Sequence, residues 1–92
     1  MILKVKYYRV YDLTRKYLHR TDLETREMAE DFIKIDAAER FEGWRRMNFA
    51  YQGKIDPFKP SKYLIIEMVG TVESKFVKNW KEGIIEEFKL KD

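Results

Sequence analysis

The sequence predicts an α+β fold, a small mostly antiparallel sheet packed against two or three helices, and three of its features carry that expectation. An N-terminal stretch alternates apolar with polar residues, a later run is almost continuously apolar, and other stretches space their apolar residues at helical intervals. The 92 residues are expected to form one compact domain, 1–92. Six Phe, six Tyr and two Trp strengthen its core, because each ring buries on the order of 150–250 Å² in a chain too short for a large aliphatic interior.

The elements follow in order. Leu3, Val5, Tyr7 and Tyr11 alternate against Lys4 and Lys6, a strand over about 2–11. Tyr17-Leu18-His19-Arg20 lies just beyond the polar stretch Asp12–Arg15, so the two runs form an antiparallel hairpin. Neither Asn-Gly nor Asp-Gly marks the turn, which leaves the register open. Thr21 and Glu24 have the spacing of a capping box and start a helix over 22–35, with Leu23, Met28, Phe32 and Ile35 on its stripe. Asp36 and Glu39 repeat the pattern and open a second run with Phe41 and Trp44 on one face and Gly43 inside; the two runs together can make one kinked helix. Met47, Phe49 and Tyr51 alternate as a third strand ended by Gly53. Asp56-Pro57-Phe58-Lys59-Pro60 is a loop. Lys62–Val69 is the central strand, nearly all apolar. Val72, Phe76, Val77, Trp80, Ile84, Ile85 and Phe88 then fall at steps of one, three and four, a long amphipathic helix over 72–89 expected to cover the sheet.

Composition removes whole classes of chemistry. Without cysteine there is no disulfide framework, thiolate nucleophile or Cys-ligated metal. One histidine does not make a zinc site, since zinc rarely accepts three or more carboxylates, and no structural metal or cofactor is expected. His19 with Ser61 and Ser74 supplies no coherent triad. Charge interrupts the N-terminal apolar run at Lys4, so neither a leader nor a membrane span is expected, and a cytoplasmic location follows by default. Glycines at 43, 53, 70 and 83 are isolated and build no phosphate cradle. Asp56 followed by Glu73-Ser74-Lys75 resembles the spacing of the restriction-endonuclease-like nuclease core, which would imply a Mg²⁺-dependent phosphodiesterase. That core needs these residues on a strand, whereas the helix expected over 72–89 holds Glu73 and Lys75 in its first turn, so no enzyme is expected.

Three surfaces remain as binding candidates, one of them the stripe Phe76, Trp80, Ile84 and Phe88 of the helix expected over 72–89, where core packing competes with a docking groove or a homodimer face. Arg40, Trp44, Arg45 and Arg46 gather the residue types that dominate protein interface hot spots; the competing explanations are core packing for Trp44 and helix-dipole compensation for the arginines. Lys4, Lys6, Tyr8, Arg9, Arg15, Lys16, His19 and Arg20 make the hairpin basic and aromatic, suited to phosphates and unpaired bases if they share a face. The net charge of +3 favours none of them. The expectation is a non-enzymatic protein that acts stoichiometrically on a protein partner, with nucleic-acid binding by the hairpin as the alternative and a homodimer open. In size and lack of motifs the chain is similar to small phage-encoded inhibitors of host or defence enzymes, the anti-CRISPR proteins among them.

Overall fold

The apolar alternation of the N-terminus and the apolar run after Pro60 build the centre of one four-stranded antiparallel sheet. The computed structural model describes residues 3–73 and 76–89. Its elements are β1 (Leu3–Asp12), β2 (Tyr17–Leu23), α1 (Arg26–Ala50), β3 (Tyr63–Glu73) and β4 (Phe76–Phe88), in sheet order β2-β1-β3-β4. β1 and β3 pair without interruption from Leu3↔Val72 to Asp12↔Tyr63.

Pleating then sorts the two faces. Val10 and Asp12 of β1 point to the helix with Tyr63 and Ile65 of β3, and the core is Val10, Leu23, Ala29, Ile33, Tyr63 and Ile65, flanked by Tyr8, Phe32, Ala37 and Phe88. The turn from β1 to β2 is built by Asp12, whose Oδ1 accepts from the amides of Thr14 at 2.9 Å and Arg15 at 2.8 Å. Such an Asx turn does the work of an Asn-Gly pair, and Lys16 takes the left-handed position at φ 54°.

Three expected elements are corrected. The helix begins four residues later than Thr21 suggests: β2 continues to Leu23, and Thr25 is the N-cap, its hydroxyl accepting from Met28 N at 3.1 Å. The two helical runs form one helix, the only one among the described residues, and it absorbs the strand expected at Met47–Tyr51. No described strand pairs with that segment, so its alternation finds no sheet, while the helix already propagating through Ala37 and Ala38 extends one bond per residue. It stops where Gln52 and Gly53 adopt φ 55° and 78° and Gly53 N–H bonds back to Asn48 O at 2.7 Å.

The third correction is the largest: the helix expected over 72–89 is a hairpin, with β3 running on to Glu73 and β4 returning from Phe76. In β4, Ile85 sits opposite Ile66 but Glu82 opposite Met68, and Lys81 opposite Val69 but Lys78 opposite Thr71. Three residues of β4 therefore span two steps of β3 twice, the mark of two bulges. Each extra residue resets the two-residue alternation, so the apolar positions drift to steps of three and four and mimic a helix. Gly83 passes so close to β3 that a Cβ there would lie 2.6 Å from Glu67 Oε1.

This layering leaves two regions uncovered. With α1 on one side and β4 in the sheet, the opposite sheet face carries no covering element among the described residues. The helix also outruns the sheet. Its only buried residues are Ala29 and Ile33, Asp36 already meets Tyr63 at the first residue of β3, and the turns after Ala37 project beyond, giving a molecule 62 Å long.

Far-UV circular dichroism should report about a quarter helix (25 of 92 residues), and backbone chemical shifts should be extended through Phe76–Phe88. Gly43 lies in the projecting part of α1, where an added Cβ would meet nothing within 4 Å. Gly43→Ala should therefore raise the unfolding free energy by roughly 0.5–1 kcal/mol in urea titration.

Candidate functional site

The described titratable residues meet most densely where the β1–β2 turn, β3 and α1 converge. Asp12 is fully buried, Arg15 follows in the turn, His19 lies on β2, Asp36 on α1 and Tyr63 at the start of β3. Arg15 Nε donates to Asp12 Oδ2 at 2.6 Å, and its Nη2 lies 2.7 Å from Asp36 Oδ2 and 2.9 Å from His19 Nε2. Tyr63 Oη donates to the same Asp36 oxygen at 2.5 Å. Asp12, His19 and Asp36 have a spacing that could hold a metal ion. The guanidinium already stands among them as the cation, so the cluster is arranged as a structural tie.

The charges respond to that arrangement. Burial by itself pushes the Asp12 carboxyl up, but the amide and guanidinium bonds from Arg15 outweigh it and hold the pKa at about 2. Burial, and then the bond to Asp36 and its negative charge, push the Tyr63 phenol to about 12.

The hairpin residues singled out from the sequence do not share a surface. Arg15 and His19 face into the tie, and Tyr8 packs beside the core. Arg9 lies on the opposite face, with Nη2 donating to Tyr7 Oη at 2.9 Å. Arg20 stacks over Phe32 at 5.7 Å and pairs with Asp22 at 3.3 Å. Lys6 reaches Glu67 at 3.8 Å, Lys4 borders a shallow depression with Val69, Thr71 and Lys81, and Lys16 is exposed in the turn.

Arg40, Trp44, Arg45 and Arg46 do come together, on the projecting part of α1. The loop after α1 folds back along it and makes a small lobe: Trp44 lies 6.0 Å from Phe41 and 5.9 Å from Phe58, and its Nε1–H donates to Asp56 O at 2.8 Å. Trp44 is therefore half-buried in a satellite cluster, with Arg40 beside it in a shallow groove closed by Ile55–Lys59. Arg45 chelates both oxygens of Glu42, at 2.6 and 3.1 Å, and Arg46 approaches the same carboxylate at 3.9 Å. Arg45, by hydrogen bond and charge, holds the Glu42 carboxyl below its ordinary value. One carboxylate cannot neutralise two guanidinium groups, so the lobe keeps a positive face. α1 ends at Ala50 and has no basic residue in its last turn, so helix-dipole compensation does not account for these arginines. Phe49, whose alternation with Met47 and Tyr51 suggested a strand, stands beside them at 88 % exposure.

The nuclease-like spacing is not assembled. Asp56 belongs to the lobe, beyond the Tyr63 end of β3, whereas Glu73 ends β3 ten residues away, roughly 33 Å along the strand; Ser74 and Lys75 lie outside the described residues. No described helix is long and apolar enough to cross a membrane. Compared with known protein families, curated proteins and solved structures, the chain matches none.

Arg15→Met leaves two carboxylates without their cation and should cost about 3 kcal/mol of folding free energy at neutral pH. The pH dependence gives a sharper check. A folded pKa of about 2 against the ordinary 3.8 means that the Asp12 contribution is present above pH 4 and drains away as the pH falls toward 2. In Arg15→Met the amide bonds to Asp12 remain but the guanidinium is gone, so acidification over that range should cost the variant less stability than it costs the parent. The Tyr63 contribution is lost on the alkaline side, as pH rises from 10 toward 12. EDTA should leave the melting temperature unchanged, because Arg15 fills the place of a cation.

Proposed function

We propose that this chain is a non-catalytic, stoichiometric binding protein that engages an acidic protein surface through its projecting helical lobe. One observation carries the reading: Phe49, Arg45 and Arg46 are presented together to solvent, 88, 64 and 80 % exposed, on a lobe that the core does not need. A large exposed ring flanked by guanidinium groups has the composition of an interface hot spot. The half-buried Trp44 and the Phe41–Phe58 contact support those side chains from behind, which limits the ordering cost of binding. The mutual neutralisation of Asp12, Arg15 and Asp36 agrees with a role outside catalysis, and the cysteine-free sequence suits a cytoplasmic partner. Inhibition of a host or defence enzyme, as small phage-encoded proteins perform, is the form of stoichiometric action this reading favours.

The test is affinity capture from native host lysate, with and without nuclease treatment, using the parent chain and two surface variants. A stoichiometric protein should survive nuclease. Phe49→Ala and Arg45→Ala should each weaken that partner by about 2 kcal/mol, while their melting curves stay close to the parent because both side chains are exposed. Loss of every partner on nuclease treatment, or full binding by both variants, would sink the proposal.

A further inference from the structure

The sheet face opposite α1 carries no covering element among the described residues, although Met68 at its middle is buried by its own neighbours. Leu3, Val5, Tyr7, Arg9 and Tyr11 of β1 lie on it with Leu64, Ile66, Met68 and Val72 of β3, as the β1–β3 register requires. β2 adds Leu18 opposite Tyr11, and β4 adds Ile85 opposite Ile66 and Trp80, whose ring meets Tyr7 edge-on at 4.8 Å. Leu18, Trp80 and Ile85 are 41, 42 and 49 % exposed, so the apolar character reaches both margins of the sheet. Stable domains bury such a face under a second layer.

We infer that a second copy of this chain supplies that layer, the two sheets packing face to face as a two-fold homodimer. The area is of the right order: four strands about 4.8 Å apart and roughly ten residues long at about 3.3 Å per residue present on the order of 600 Å², near the ~800 Å² per partner of a standard interface. The face is also compatible with itself. Among the described residues, Arg9 lies there against Glu82 and Glu87 of β4, of opposite sign, so a two-fold pairing can set the arginine of one copy near the carboxylates of the other. The dimer leaves the helical lobes at the outside, so it is independent of the partner proposed for them.

Light scattering and sedimentation velocity test the inference. The parent should weigh twice 11.2 kDa at micromolar concentration. Ile85→Asp and Leu18→Asp place charge on the two margins, where each side chain is already about half exposed, and should raise the dimer dissociation constant by ~30-fold or more while circular dichroism stays native. If either aspartate variant fails to fold, Ile85→Thr keeps a β-branched residue in the strand and should still weaken the dimer. Phe49→Ala should leave the mass unchanged. A parent that is monomeric at every concentration, a dimer indifferent to folded face variants, or one dissociated by Phe49→Ala instead overturns the inference; the last outcome moves self-association to the lobe. Partner capture is a separate measurement, so either proposal can fail alone.

Discussion

Arg15 holds this protein together at the one place where all its layers meet. The turn that carries it is closed by Asp12, the helix that crosses the sheet touches it through Asp36, and β3 is bound to that same carboxylate by Tyr63. The hydrophobic core beside it contains six buried residues among those described, a small number for a chain of this length. Apolar burial is non-directional and would tolerate a range of helix angles. Two aspartates sharing one planar guanidinium tolerate few, because the guanidinium donors are fixed in a fork. The tie therefore sets where the helix leaves the sheet, and so where the projecting lobe points.

That geometry divides the molecule by task. The first half of α1 is the lid of the core, and the second half, relieved of packing against the sheet, carries side chains a core would exclude: Met47 and Phe49, like Tyr51 just past its end, are more than half exposed. A free helical end of this kind would fray if it stood alone. The loop 51–60 prevents it by folding back, with the Phe41–Trp44–Phe58 cluster and the Trp44–Asp56 bond acting as a second, smaller core. The lobe and the bare sheet face lie in different parts of the molecule, so the proposed dimer and the proposed partner surface do not compete for the same residues.

Short-range patterns were enough to read the α+β class, the N-terminal hairpin, the apolar central strand, the proline loop, and the gathering of Arg40, Trp44, Arg45 and Arg46. They are the alternation along Leu3–Tyr11, the apolar run from Tyr63, and four residues within two turns of one helix. The remainder depended on neighbours in space. Whether 76–88 is strand or helix depends on β3 lying beside it, because two bulges shift an alternating pattern into helical spacing that no local reading separates. Whether Met47–Tyr51 is strand or helix depends on whether a strand lies within reach to pair with it, and no described strand does. The basic hairpin scattered for a third reason: Arg15 and His19 were taken inward by Asp36, twenty-one residues further along the chain from Arg15 and brought near only when the helix folds across the sheet. Local periodicity reports what a segment can become; its surroundings select among the possibilities, because hydrogen-bond partners and buried charges are shared between segments distant in sequence.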